Sequence, residues 1–150
     1  MRTPLALSLC FALACASPAP ISPGSEDERA VLETVQAFFA VIESKDVAVG
    51  ARVAIPEGVF VNVGLEDGAR TLKHFTNAEW LARLPEDSRL MREEFEGEPI
   101  VLINGDIAVV WGRYTFEVDG KRNHTGQDVF NLIRTEEGWK ISGGAYSVER

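Results

Sequence analysis

Residues 124–141 constrain this chain more than any other part of it. The run His124-Thr125-Gly126-Gln127-Asp128-Val129-Phe130-Asn131-Leu132-Ile133-Arg134 is rich in β-formers and sets a histidine and an acid among apolar neighbours. It reverses at Thr135-Glu136-Glu137-Gly138 and re-enters a strand at Trp139-Lys140-Ile141. A strand of this kind must be covered on one face. Titratable groups on a covered face are where a small-molecule pocket is to be sought.

The rest of the chain supplies the cover. Ser25-Glu26-Asp27-Glu28 has capping-box spacing, and acids there suit the positive end of a helix dipole. Beyond it Val31, Leu32, Val35, Phe38, Phe39 and Ile42 recur at helical spacing, which predicts a helix to about Ser44. A short helix is expected over 46–52, stopped before Pro56. Val59, Phe60, Val61 and Val63 read as a strand, and 70–73 as a short partner across the Glu66-Asp67-Gly68 turn. Thr76-Asn77-Ala78-Glu79 is a second capping box, opening a helix with Trp80, Leu81 and Leu84 that Pro85 closes. From Leu90 onward, turns at Asn104-Gly105, Asp119-Gly120 and Glu136-Glu137-Gly138 separate four expected strands in an antiparallel meander. Two helices, two strands, a helix and four strands make an α+β class. The helix 1 face must be buried against the sheet, which leaves a conical pocket between them.

That order, with the closing motif His-x-x-x-Asp-x-Phe-x-Leu-x-Arg-Thr-x-x-Gly-Trp-Lys-Ile, resembles the nuclear transport factor 2-like superfamily over about residues 26–148. The SnoaL-like and lumazine-binding types among small exported bacterial proteins look most similar. The resemblance implies a cone-shaped, strongly curved antiparallel sheet against one long N-terminal helix and two short ones. It implies no single chemistry, because the superfamily holds several kinds of enzyme and proteins without catalysis. The ketosteroid isomerase branch also has an acid just before an aromatic on a late strand, as in Asp128-Val129-Phe130. It needs a carboxylate base near the position of Asn62 and a tyrosine on helix 1, and this chain has neither.

His124 and Asp128, four apart on one strand, share a face, with Cα atoms roughly 13 Å apart. That is too far for a His–Asp hydrogen bond or a shared metal, so they read as two polar points on one wall, the candidate catalytic pair. A bulge at Gly126 would shorten the distance and disturb the facing. Burial beside Val129 and Phe130 would raise the pKa of Asp128. A two-residue turn at Asp119-Gly120 pairs Trp111 with Asp128, Arg113 with Gly126 and Thr115 with His124, bringing Arg113 to the wall. A three-residue turn brings Tyr114 and Phe116 there instead. His74, Asn62, Trp80 and Trp111 complete the candidate ligand-binding set; Trp80 also fits the core. No metal or cofactor is called for.

Residues 1–16 read as a signal peptide. Arg2 is their only charge, the apolar run 5–16 is too short to span a bilayer, and Ala12-Leu13-Ala14 and Ala14-Cys15-Ala16 offer Ala-x-Ala cleavage patterns. Ala12-Leu13-Ala14-Cys15 also resembles a lipobox, so Cys15 is either a lipid anchor, the one expected membrane contact, or a plain signal residue. Both cysteines, Cys10 and Cys15, lie in this segment. Residues 17–25 read as a flexible tether and 26–150 as one domain. Without Arg2, 14 basic residues face 23 acidic ones, with no basic cluster, which speaks against nucleic-acid binding.

The residues therefore suggest an exported, periplasmic or envelope-anchored small-molecule-binding protein. The alternatives are an acid–base enzyme using Asp128 with His124 or His74, and a non-catalytic dimeric interaction module. A homodimer is expected because Ile107-Ala108-Val109-Val110-Trp111 is apolar on both faces.

Overall fold

A computed structural model describes residues 24–149. The expected signal segment, Cys15 and all but the last two tether residues lie outside the described residues. The described residues form three α-helices and a seven-stranded sheet.

Helix α1 spans Glu26–Ser44. Ser25 Oγ accepts from the Glu28 N–H at 3.1 Å, while the Glu28 carboxylate reaches the Gly24 N–H, so the second arm of the expected box lands one residue early. Its predicted stripe turns inward: Val31, Val35, Phe38, Phe39 and Ile42 are buried. The helix ends at Lys45 in the left-handed region, and the Lys45 ammonium holds the carbonyls of Asp87 and Arg89 on the segment leading to the third strand. Helix α2 (Val47–Val53) is capped by Asp46 Oδ1. Strand β1 (Ala54–Glu66) begins at once, earlier than the 59–63 expected, and Pro56 sits where its register is irregular, between Ala54 and Val59. Strand β2 (Ala69–Thr76) is twice as long as 70–73. The Thr76–Glu79 capping box is complete and opens α3 (Asn77–Arg83), with Pro85 in the tight turn that closes it. Buried Asn77 donates from Nδ2 to Ile55 O at 2.8 Å and ties α3 to β1.

Five strands follow rather than four: β3 (Met91–Phe95), β4 (Ile100–Asn104), β5 (Ile107–Val118), β6 (Lys121–Thr135) and β7 (Gly138–Ser147). The extra break is Glu96-Gly97-Glu98-Pro99, where Gly97 takes φ 85° and Pro99 offers no N–H to a ladder. The sheet runs β2-β1-β7-β6-β5-β3, with β4 also on β5. It is mixed rather than wholly antiparallel, because β1 lies parallel to β7 while every other pair is antiparallel. The large sheet is open and curved, with the helices on its inner face. Phe130 of β6 is the hub of the core. Phe38 and Phe39 of α1, Phe60 of β1 and Phe95 of β3 all meet its ring edge-on, at centroid distances of 5.8, 5.5, 5.6 and 6.2 Å.

Candidate functional site

Strand β6 decides what faces the helices. The turn at Asp119-Gly120 is the two-residue kind, with Val118 opposite Lys121 and Glu117 opposite Arg122. One residue further the register shifts, and Phe116 stands opposite His124. The bulge therefore falls at Asn123, not at Gly126. It leaves the facing of His124 and Asp128 intact but changes their partners: Asp128 lies against Gly112, Gly126 against Tyr114, and Trp111 against Val129. A regular hairpin would have put Arg113 on the inner wall; the bulge puts Tyr114 and Phe116 there.

These inward side chains end in a cavity of about 350 Å³ between the sheet, α1 and α3. Phe38 and Ile42 come from α1, Trp80 from α3, and Phe60 and Phe75 from the first hairpin. Trp80 stacks on Phe38 with centroids 4.6 Å apart, so it is both cavity wall and packing element. Tyr114, Phe116, His124, Asp128 and Tyr146 form the sheet side. The His124 ring stacks on Phe116 at 4.9 Å and meets Tyr114 edge-on at 5.7 Å, and its Nδ1 lies 2.8 Å from Asn123 Oδ1. Tyr114 turns its hydroxyl away from the cavity and donates to Ser147 O at 2.9 Å. Gly126 makes this possible, because a Cβ there would come within 1.9 Å of Ser147 O and 2.8 Å of the Tyr114 ring.

Asp128 is 3% exposed, and its Oδ2 receives no N–H or hydroxyl hydrogen bond from the described residues. What reaches this carboxyl is a second acid, Glu93 of β3, which hydrogen-bonds to it from the same sheet wall. Burial pushes Asp128 up to about 6, partly offset by the hydrogen bond from Glu93. Glu93 lies well above the ordinary carboxylate range, through burial first and the neighbouring charge of Asp128 second. The two carboxyls thus share one buried setting, and each keeps its proton to a higher pH than an ordinary carboxylate does. Burial and then the two acids push Tyr146 up to about 12, and the same causes raise Tyr114 further.

Glu93 is not among the site residues that the sequence singles out. Its signal was present in Met91-Arg92-Glu93-Glu94-Phe95, where Glu93 holds the inward parity of Met91 and Phe95.

Four expected site residues are placed outside the cavity. Trp111, 49% exposed, is on the outer face by its pairing with Val129. Arg113 is outside too, bound to Glu96, Thr125 and Glu149 at 3.0 Å each. His74 is exposed on β2, because strand alternation turns its neighbour Phe75 inward instead. Asn62 does not line the cavity; it shares the inner face of β1 with Phe60 and hydrogen-bonds the Tyr146 hydroxyl. Among the described residues no group of three or more His, Cys, Asp or Glu could hold a metal, and no helix is long and apolar enough to cross a membrane.

No family model matches the chain, and no curated protein matches it by sequence. Solved structures do match. A nuclear transport factor 2-like protein from Cytophaga hutchinsonii superposes with a TM-score of 0.68 at 14% identity, covering 83% of this chain and 100% of that one. A superfamily protein from Salmonella enterica serovar Typhimurium gives 0.65 at 15% identity, over 82% and 91% of the two chains. A conserved protein from Planctomyces limnophilus gives 0.65 at 20% identity, over 82% and 96%. The helix-lined, curved sheet with its closing β6–β7 hairpin is the nuclear transport factor 2-like fold.

Proposed function

We propose that this chain is an exported small-molecule-binding protein whose ligand occupies the cavity between α1, α3 and the inner face of the sheet. The observation that carries the reading is Asp128, a carboxyl 3% exposed whose Oδ2 has no hydrogen-bond donor among the described residues, at the wall of an aromatic-lined cavity. A buried polar group left in that state costs about 1–3 kcal/mol, a cost that a ligand donor offsets. Native mass spectrometry of protein purified from its own host tests the idea, with a retained ligand as the expected result. An empty protein whose melting temperature no member of a chemically mixed library raises would overturn it. Export predicts that the mature chain begins at Cys15 or Ser17, which intact-mass analysis of the same sample reads directly.

A second reading, acid–base catalysis in the same cavity, is favoured by one observation: two hydrogen-bonded carboxyls in the cavity wall, with burial pushing Asp128 up to about 6. Its partner in this version is Glu93 rather than His74, with His124 on the same wall. Hydrogen–deuterium exchange at carbon in a bound ligand, abolished by Asp128→Asn, would favour it.

The unit that carries out either role is proposed to be a homodimer. Ile100, Leu102, Ile107 and Trp111 form adjoining exposed apolar positions on the outer face of β4 and β5.

A further inference from the structure

The cavity combines two kinds of surface. One side is aromatic: Phe38, Phe60, Phe75 and Trp80. The other carries Glu93 and Asp128, which hydrogen-bond to one another, and Asp128 Oδ2 has no donor among the described residues. Arg83 also lines the cavity, on its aromatic side; its Nε donates to Glu79 O at 3.0 Å and its guanidinium lies 5.9 Å from the Phe75 ring centroid. No lysine or arginine is among the groups that shift either acid. His124 shares the wall with its ring stacked on Phe116 and its Nδ1 against Asn123. A negative charge walled by aromatic faces is complementary to an organic cation, which gains from both the carboxylate and the ring quadrupoles. A neutral ligand would leave the charge buried and unanswered, and an anion would be repelled by it.

We infer that the carboxyl pair Glu93 and Asp128, set opposite the aromatic side of this cavity, binds the amino group of an amine with an apolar, ring-bearing body. This rests on the cavity being a ligand site at all, so the test separates the two claims. Three probes with one body serve: 2-phenylethylamine, 2-phenylethanol and 3-phenylpropionate, titrated calorimetrically at pH 7 into the wild-type chain. The expected order is amine, alcohol, carboxylate, with the amine at least tenfold tighter than the alcohol. Glu93→Gln/Asp128→Asn replaces both carboxyls with amides of the same size and should cut that preference below threefold. Alcohol binding as tight as amine, or a preference kept in the double variant, overturns the inference while leaving the ligand site standing. Binding of none of the three, with no ligand retained by the native protein, defeats both claims. The wild-type series decides the main point even if a variant fails to fold.

Discussion

Phe116 stands directly opposite His124 on the β5–β6 ladder, although the turn joining the two strands, extended regularly, would set Phe116 against Asn123. One extra residue thus determines which side chains face the helices. Deleting Asn123 should leave every pair beyond the bulge in place, since it removes the surplus residue and not the downstream register. The expected variant folds and melts within a few degrees of wild type. Loss of cooperative unfolding would show that the bulge is required for more than register.

Stability should peak on the acid side of neutrality. Asp128 holds its proton to about pH 6 in the fold but releases it near 3.8 when unfolded, so stability falls as pH rises between those values. Glu93 acts with the same sign and extends the fall to higher pH. Asp27 and Asp87 act oppositely, since arginine partners lower their pKa and their contribution is lost as pH drops through the acid range. Melting temperature should therefore be highest near about pH 4–5. Asp128→Asn should flatten the decline toward pH 7 and stabilise the ligand-free protein there by about 1–3 kcal/mol. A curve rising monotonically from pH 5 to 7 would contradict this account.

Gly126→Ala should be among the most damaging small substitutions in the chain. The new methyl would meet Ser147 O at 1.9 Å and the Tyr114 ring at 2.8 Å, and both are fixed by the same hydrogen bond. A loss of about 3 kcal/mol or more in denaturant unfolding is expected. A loss below about 1 kcal/mol would mean that Tyr114 moves aside easily.

The outer face predicts an oligomer. Leu102 is 63% exposed and Trp111 49%, on strands whose alternate residues Ala108 and Val110 are buried on the other side. A dimer interface of about 1,600 Å² would cover this surface. Sedimentation at micromolar concentration should find a dimer for wild type and a monomer of similar melting temperature for Leu102→Glu/Trp111→Glu. A monomeric wild type removes the idea.

The helices were the most legible part of the chain. Capping residues and a 3.6-residue stripe are local signals, and both capped helices begin where Ser25 and Thr76 indicate. Strand existence was legible for the same reason, but which wall Arg113, Tyr114 and Trp111 occupy was not. That outcome depends on one unpaired residue, and Asn123 has no side-chain property that marks a bulge. The parallel placement of β1 beside β7 joins strands some eighty residues apart, beyond the reach of any local pattern. Asp128 stood out by its apolar neighbours. Glu93 did not, because Arg92 and Glu94 beside it make the segment look like a solvated face.

The parallel pairing of β1 with β7 also governs when the molecule can come into being. β1 and β2 pair early as a hairpin, but the strand that joins them to the rest of the sheet is the last one synthesised. Until Gly138–Ser147 is available, β1 and β6 each present an open edge, and the aromatic hub at Phe130 lacks the Phe60 wall. The fold therefore closes late and over a long loop, which makes folding slow relative to its helices. A chain truncated before β7 is left as an incomplete sheet with two sticky margins, so its expected fate is aggregation or proteolysis rather than partial activity.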